Sequence, residues 1–231
     1  MRVVPLLPLI LLSAAPAMAQ GTVCTPPSTA GRQQSPVDIR RAVATPLQAL
    51  ATHEPTEAGR AFNTGHTVRV DVAPGDSITV DGVPFALVQF HFHWPAEHEL
   101  LGRRYPVEIH MVHEGPGGKL AVLGTWVRQG AHNHAWDELW AHLPTGADTV
   151  PVRVNVRRMF ALANVNGERV YRYCGSLTTE PYAEGVTWLM RRTTITLSPA
   201  QIARLHEVMH RYSRDVQPLN GRTIRYRPPA E

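Results

Sequence analysis

The feature that most constrains this chain is the alternation of aromatic and polar residues in Gln89-Phe-His-Phe-His-Trp94. Successive side chains on an extended backbone point to opposite faces, so His91 and His93 share one face and the two phenylalanines share the other. The segment therefore predicts an interior strand with one face in an apolar core and one face lining a polar site.

A second segment, Glu108-Ile-His-Met-Val-His113, places Glu108 and His110 on one face in the same way. A third imidazole from a neighbouring strand would complete a tripod with His91 and His93. Three neutral imidazoles leave the fourth tetrahedral position of zinc open, which is typical of a catalytic rather than a structural site. We therefore predict that His91, His93 and His110 bind Zn²⁺ and that the protein is a zinc hydrolyase.

Two further polar residues support this interpretation. Gln89 and Glu108 each precede a predicted ligand by two positions and so share its face. Zinc-bound histidines usually donate their second ring N–H to a carbonyl or carboxylate oxygen, which fixes the ring. Without a metal, the same five side chains would be a costly set of buried polar groups.

The N-terminal segment resembles a secretory signal. Residues 1–19 combine Arg2, an apolar stretch from Val3 to Ala15 and the small-residue exit Ala17-Met-Ala19. The apolar stretch is too short for a membrane anchor. We predict a signal peptide over 1–19, one catalytic domain over 20–231, and export to the periplasm or the exterior, between which the sequence does not decide.

The chain has only two cysteines, Cys24 and Cys174. An even pair in an exported protein usually forms a disulfide. The alternative, two zinc thiolates, lacks any Cys-x-x-Cys spacing. We predict the disulfide.

The formal net charge of +4 does not indicate a nucleic-acid partner. The basic residues are almost all arginines, scattered along the chain without a basic run or interleaved aromatic residues. We predict no nucleic-acid binding.

Strand and turn patterns dominate the secondary structure. The predicted strands are 66–72, 77–80, 85–94, 105–113, 120–127, 169–173, 185–196 and 223–226. One short helix is predicted around residues 136–143 with Asn133 as its cap, and another from the cap Ser198. The buried stripe of the second helix is predicted to be Ile202, Leu205, Met209 and Tyr212. The fold class is therefore mainly β, with small peripheral helices.

Other histidines are weaker candidates for metal binding. His132 and His134 also form a His-x-His pair but show no obvious third ligand in the sequence. His206 and His210 have the i, i+4 spacing of a helical metal clip. We interpret both pairs as solvated surface.

Segments along nearly the whole mature chain resemble the α-class carbonic anhydrases of the secreted bacterial type, in order. They are Gln34-Ser-Pro-Val-Asp-Ile39, Gln89-Phe-His-Phe-His-Trp94, Glu97-His98, Glu108-Ile-His-Met-Val-His113, Leu120-Ala-Val-Leu-Gly124, Ser176-Leu-Thr-Thr179 and Gln217-Pro-Leu-Asn-Gly-Arg222. The resemblance implies a central, largely antiparallel ten-stranded twisted sheet with zinc at the base of a conical cleft. It also implies reversible hydration of carbon dioxide to bicarbonate and a proton by zinc hydroxide attack, with weak esterase activity.

The resemblance also assigns roles. Thr178 matches the threonine that orients the zinc hydroxide, held in turn by a glutamate, here Glu97. His66 matches the proton shuttle and has a side chain that normally titrates near neutral pH; on sequence alone it is equally a surface histidine. The residues that match the substrate pocket are Val112, Val122, Leu177, Thr179, Val186 and Trp188, which could otherwise be ordinary core residues.

The chain departs from the family pattern at several positions. Between Gln20 and Ser35 there is no tryptophan or tyrosine, although family members usually carry a Trp-x-Tyr segment there. Thr64 and Tyr212 stand where asparagines are common, and Glu180 replaces a proline. Two alternatives stay open: a non-catalytic zinc or ligand-binding module on the same scaffold, and a zinc-dependent esterase. The sequence also leaves open whether the protein is a monomer or a homodimer.

Overall fold

The computed structural model describes residues 23–27, 30–47, 51–52, 58–162 and 169–228; the predicted signal peptide lies outside them. The strands are β1 (Asp38–Ile39), β2 (Val43–Ala44), β3 (Ala51–Thr52), β4 (Ala58–Asn63), β5 (Val68–Val72), β6 (Ser77–Val80), β7 (Val83–His93), β8 (Glu99–Leu100), β9 (Arg103–Arg104), β10 (Val107–Glu114), β11 (Leu120–Gln129), β12 (Val150–Arg153), β13 (Val170–Ser176), β14 (Glu184–Arg191), β15 (Ile195–Leu197) and β16 (Arg225–Tyr226). The helices are α1 (Asp137–Ala141), α2 (Val156–Met159) and α3 (Pro199–Val208), with 3₁₀ turns at Pro116–Gly118 and His134–Trp136.

One large sheet organises the described residues. It has 13 strands, ten of which follow one another in the order β12-β4-β5-β7-β10-β11-β14-β13-β16-β2. Most neighbours are antiparallel; β11 pairs in parallel with β14 and β15, and β16 with β2. A second sheet of three short strands has the order β1-β8-β9. The predicted fold class, mainly β around a large, largely antiparallel sheet, is confirmed, although the sheet has three strands beyond the predicted ten.

The central strands bring the two histidine segments into register. In the antiparallel pair β7–β10, His91 lies opposite His110 and His93 lies opposite Glu108. On the other side of β10, His110 lies opposite Gly124 of β11. A Cβ atom at Gly124 would overlap the sulfur of Met190, so any other residue here requires the buried Met190 side chain to move.

The alternation along β7 separates a core face from a site face, as the sequence predicts. The rings of Phe90 and Phe92 are fully buried and lie edge-on to Trp136, with centroids 6.1 and 5.8 Å away. The imidazoles of His91 and His93 point away from this core. Burial of the aromatic face therefore fixes which way the histidines face, because a one-residue slip would exchange the two sets.

The predicted helix caps are confirmed. Asn133 accepts a hydrogen bond from the backbone N–H of Ala135, and Ser198 forms a capping box with Gln201. The prediction that Tyr212 lies on the buried stripe of the last helix is wrong. α3 ends at Val208, and Tyr212 instead forms an isolated β-bridge with Trp94. The apolar i, i+3 pattern continues past Val208 because the chain there still packs on the core, although it is no longer helical.

Several elements differ from the sequence-based prediction. The predicted strand over 185–196 is two strands, β14 and β15, separated by a bend. β4, β12 and the four-residue helix α2 were not predicted, since their short segments lack a clear period. None of the helices in the described part of the chain is long and apolar enough to cross a membrane.

The predicted disulfide is present. Cys24 and Cys174 are bonded, with their Cα atoms 5.5 Å apart. The backbone N–H of Cys24 also donates to the hydroxyl of Thr187, which lies opposite Cys174 in the β13–β14 ladder. The bond therefore attaches the N-terminal segment to the strands behind the histidine cluster.

Candidate metal centre

Three imidazoles converge on the site face of β7 and β10. The ring centroids lie 4.9 Å apart for His91 and His93, 5.2 Å for His91 and His110, and 4.4 Å for His93 and His110. One nitrogen of each ring lies within 4.8 Å of the others. His93 and His110 are almost completely buried, and His91 is half-buried. This spacing suits one metal ion held by three nitrogens.

Hydrogen bonds determine which nitrogen of His91 and of His110 is available to bind a metal. His91 Nδ1 lies 2.9 Å from Gln89 Oε1, and His110 Nε2 lies 2.6 Å from Glu108 Oε1. Both oxygens accept, so each of these nitrogens carries the proton, and the lone pairs are left on His91 Nε2 and His110 Nδ1. The geometry places Gln89 and Glu108 where the sequence analysis expects them.

Burial and the neighbouring charges favour the neutral forms of His91 and His93. Burial lowers the pKa values of His91 and His93 well below the usual range, and the charge of His110 lowers them further. Nε2 of His93 is buried and has no hydrogen-bond partner among the described residues. A buried nitrogen without a partner is costly in an empty core but suits a metal ligand, so the residues present fit a zinc ion.

A buried chain of hydrogen bonds, here called the relay, holds the carboxylate of Glu108 against His110. The sequence did not predict it. Glu108 Oε1 also accepts from His98 Nδ1 at 2.7 Å, and Glu108 Oε2 accepts from the backbone N–H of His98 at 2.9 Å. His98 Nε2 lies 2.6 Å from the hydroxyl of Tyr173, which lies 2.9 Å from Ser35 Oγ. The only sequence signal for this relay was the position of His98 beside Glu97 inside a family-like segment.

The relay has a definite proton arrangement. Burial alone would raise the pKa of Glu108, but the charges of His98 and His110 and the hydrogen bonds from both rings outweigh it and hold that pKa far below normal. Burial lowers the pKa of His98 and raises that of Tyr173. A charged Glu108 thus accepts from both imidazole rings, and Tyr173 donates to His98.

Glu97 and Thr178 lie beside the histidines. Glu97 is fully buried, with Oε1 3.4 Å from His93 Nδ1 and Oε2 4.0 Å from His110 Nδ1. Burial raises the pKa of Glu97 to about 7, while the charge of His110, the backbone N–H of Arg214 and the side chain of Thr178 oppose the rise. Thr178 is also buried.

Arg214 joins the N-terminal segment to Glu97 and was not predicted. Its backbone N–H donates to Glu97 Oε1 at 2.8 Å, and its guanidinium donates to the side-chain oxygen of Gln34 at 2.9 Å. The guanidinium also lies over the ring of Tyr182, 3.8 Å from its centroid. These contacts fix the segment around Gln34, which lacks the expected aromatic residues.

A cavity of about 520 Å³ opens onto the histidine cluster. Its lining includes Thr64, His66, Thr67, Arg69, Gln89, His91, His93, Thr179, Glu180 and Tyr212. His66 is exposed and stacks on Tyr212, with ring centroids 4.7 Å apart and an interplanar angle of 30°. The three departures from the family pattern at Thr64, Glu180 and Tyr212 thus lie in the cavity itself.

The predicted apolar pocket residues belong to one cluster behind the histidines. Val122, Val186 and Trp188 are buried in it, and Val112 and Leu177 pack against it. The ring of Trp188 lies 4.8 Å from that of His110, edge to face. Thr179 is exposed and lines the cavity, whereas the other five residues form an apolar wall behind the histidines and are not part of the cavity lining.

Comparison with known proteins gives a consistent result. Residues 22–228 match the model of the eukaryotic-type carbonic anhydrase family. A carbonic anhydrase from Klebsiella pneumoniae is 39% identical over 197 residues, which cover 84% of this chain and 80% of the relative. The solved α-carbonic anhydrase from Photobacterium profundum has a TM-score of 0.78 and 36% identity, covering 85% of this chain and 90% of that one. The one from Thermovibrio ammonificans, solved with the inhibitor sulfanilamide, has a TM-score of 0.79 and 34% identity, covering 84% of this chain and 87% of that one.

The chain therefore belongs to the α-class, or eukaryotic-type, carbonic anhydrase family. The prediction that it is an enzyme of this class is confirmed.

Proposed function

We propose that this protein is an exported, zinc-dependent carbonic anhydrase that interconverts carbon dioxide and water with bicarbonate and a proton. The observation that carries the proposal is the convergence of three imidazoles, two of which line a cavity, with the unpartnered Nε2 of His93 among them. When bound, zinc makes a hydroxide available near neutral pH, for which carbonic anhydrases are the standard example.

The surrounding residues hold the site for this chemistry. His91, His93 and His110 bind the ion, and Gln89 and Glu108 keep two of the rings in the correct tautomer through the hydrogen bonds described above. Thr178, held by Glu97, orients the attacking oxygen toward the substrate carbon. Such orientation lowers the barrier because the reacting atoms do not have to find their geometry during the reaction.

The apolar wall and the cavity mouth have different roles. Val112, Val122, Leu177, Val186 and Trp188 offer carbon dioxide a surface without hydrogen-bonding groups, which suits an uncharged substrate. His66, at the mouth, accepts the released proton and passes it to solvent. Weak hydrolysis of small activated esters is a side activity of the same site.

Two features support the proposal that the protein is exported. The segment 1–19 has the pattern of a secretory signal, and a disulfide is retained in oxidising compartments.

The experiment measures bound zinc, carbon dioxide hydration and ester hydrolysis in one purified preparation, before and after treatment with a chelator. We expect one zinc per chain in the central site, loss of both activities on chelation, and recovery on adding zinc. His110→Ala should lose metal and hydration, whereas His142→Ala, which removes an exposed imidazole, should retain both.

Each other outcome rejects part of the proposal. Bound zinc without hydration would indicate a non-catalytic binding module, and ester hydrolysis without hydration would indicate an esterase. Full hydration in His110→Ala would exclude the proposed ligand set.

A further inference from the structure

A second group of metal-ligating side chains lies on the surface, in residues 132–137. His132 Nε2 lies 2.6 Å from Asp137 Oδ1, and His134 Nδ1 lies 2.9 Å from Asp137 Oδ2. The two rings are 4.6 Å apart, and all three ligand atoms lie within 4.8 Å of one another. The sequence shows the two histidines, but only the fold adds the third group, because the 3₁₀ turn at His134–Trp136 carries Asp137 back beneath them.

We propose that His132, His134 and Asp137 form a second binding site for a divalent transition-metal ion. It shares no residue with the central cluster. Two imidazole nitrogens and one carboxylate oxygen are ligands that suit Zn²⁺, Ni²⁺ and Cu²⁺, and Cu²⁺ binds most tightly to such a set. The remaining coordination positions face water, since the side chains of His132, His134 and Asp137 are 46%, 78% and 48% exposed.

The backbone that carries these ligands is held firmly. Asn133, between the two histidines, donates its backbone N–H to Gln201 Oε1, and its backbone carbonyl accepts from Gln201 Nε2, both at 3.0 Å. Its side chain donates to the carbonyl of Thr196 at 3.1 Å. Gln201 is buried, so the turn is attached to α3 through two reciprocal hydrogen bonds.

The other end of the turn is fixed by Trp136. This side chain is fully buried, and its indole N–H donates to the carbonyl of Met159 at 3.0 Å. The Cα positions of the three ligands are therefore set before any ion arrives, which reduces the entropy lost on binding.

Only side-chain movement is needed to admit an ion. Zinc–ligand bonds of about 2.0–2.2 Å imply ligand atoms separated by roughly 3.4 Å, somewhat more than the present hydrogen-bond lengths. The half-exposed side chains can open by this amount through rotation about χ1 and χ2. Hydrogen bonds from His134 and His132 lower the pKa of Asp137, so its carboxylate is charged and available. When an ion binds, the proton of each ring moves to the outer nitrogen. The nitrogen that faces Asp137 in the ion-free protein then offers its lone pair to the metal.

The test counts metal equivalents on the complete, tag-free mature protein. Isothermal titration with ZnCl₂ should show a second, weaker equivalent after the central site is filled. His132→Gln/His134→Gln should remove the second equivalent alone, and Asp137→Asn should weaken it at least tenfold. The control His142→Gln removes another half-exposed imidazole, at the end of α1, and should leave both equivalents unchanged.

A spectroscopic readout identifies the ligands directly. With the central site filled by zinc, one added equivalent of Cu²⁺ should give an electron paramagnetic resonance spectrum with couplings to two imidazole nitrogens, reduced to one in His132→Gln. The rate of carbon dioxide hydration should be the same in all these variants, which also reports that they are folded.

Other results overturn the proposal. Absence of a second equivalent in the wild type when the central site is filled would do so, as would a second equivalent that persists in His132→Gln/His134→Gln or disappears in His142→Gln. Failure of the central site to take up zinc would reject the proposed function but not this site, since the surface equivalent is counted separately by the copper spectrum.

Discussion

The buried imidazole of His113 is expected to make the protein sensitive to mild acid. His113 is 3% exposed, and its Nδ1 lies 3.0 Å from the carbonyl oxygen of Met111. Burial lowers the pKa of His113 to about 4, although hydrogen bonds to the carbonyls of Met111 and Ala121 oppose the shift. Asp76 and Arg157 line the small apolar cavity beside the ring, and neither reverses the effect of burial.

The sign and size of the change in unfolding free energy with pH follow from proton linkage. The folded pKa is below the unfolded value of about 6.5, so the unfolded chain takes up a proton first as the pH falls. The stability that neutral His113 contributes is complete above about pH 6.5 and is lost as the pH falls toward 4. The loss between pH 7 and pH 5 is about 2 kcal/mol, and it approaches about 3 kcal/mol at lower pH.

The assay is urea unfolding followed by tryptophan fluorescence at a series of pH values. His113→Gln removes the titrating group and keeps a donor for the carbonyl of Met111. Its free energy of unfolding should be lower than that of the wild type at pH 7, and the gap should shrink by about 2 kcal/mol at pH 5. Other titrating groups are common to both proteins and cancel in the difference.

A matched control separates titration from simple destabilisation. Ile78→Val trims a buried residue of the same cavity at a cost of about 1 kcal/mol and carries no titratable group, so its gap to the wild type should not change with pH. The reasoning about His113 is refuted if the gap for His113→Gln is also constant between pH 7 and pH 5.

Two further predictions concern the disulfide and the cavity mouth. Because Cys24 and Cys174 are separated by 150 residues, Cys24→Ser/Cys174→Ser should lose up to about 5 kcal/mol of unfolding free energy. The denaturant unfolding curve of this variant should not change when a reductant is added. A reduced wild-type protein that keeps its full stability would contradict the prediction. Because the ring of Tyr212 holds His66 by stacking, Tyr212→Ala should lower kcat for hydration several-fold in dilute buffer, with kcat/KM unchanged. Tyr212→Phe keeps the stacking and should behave as wild type; equal losses in both variants would show that the ring stack is not the cause.

The strand pattern and the histidine cluster were predictable because they depend on local alternation. The aromatic–polar alternation of 89–94 determines which face is buried, and the tripod then requires only one neighbouring strand in register. The disulfide was predictable from cysteine number and compartment. These features need no knowledge of long-range packing.

The support of the site was not predictable, because it depends on residues brought together from distant segments. Ser35 and Tyr173 have no local pattern that marks them, yet they complete the relay behind His110. Arg214 reaches Glu97 through its backbone N–H, which every residue except proline possesses. Tyr212 fits the helical period of α3 and was therefore assigned to its buried stripe, whereas the helix ends earlier and the ring enters the cavity.

The hydrogen bonds behind His110 join segments that are far apart in the sequence. Ser35 and Tyr173 are 138 residues apart, and His98 and Tyr173 are 75 apart. Tyr173 also follows all three imidazoles of the cluster in the chain. The orientation of His110 is consequently a property of the complete fold and not of its own pair of strands.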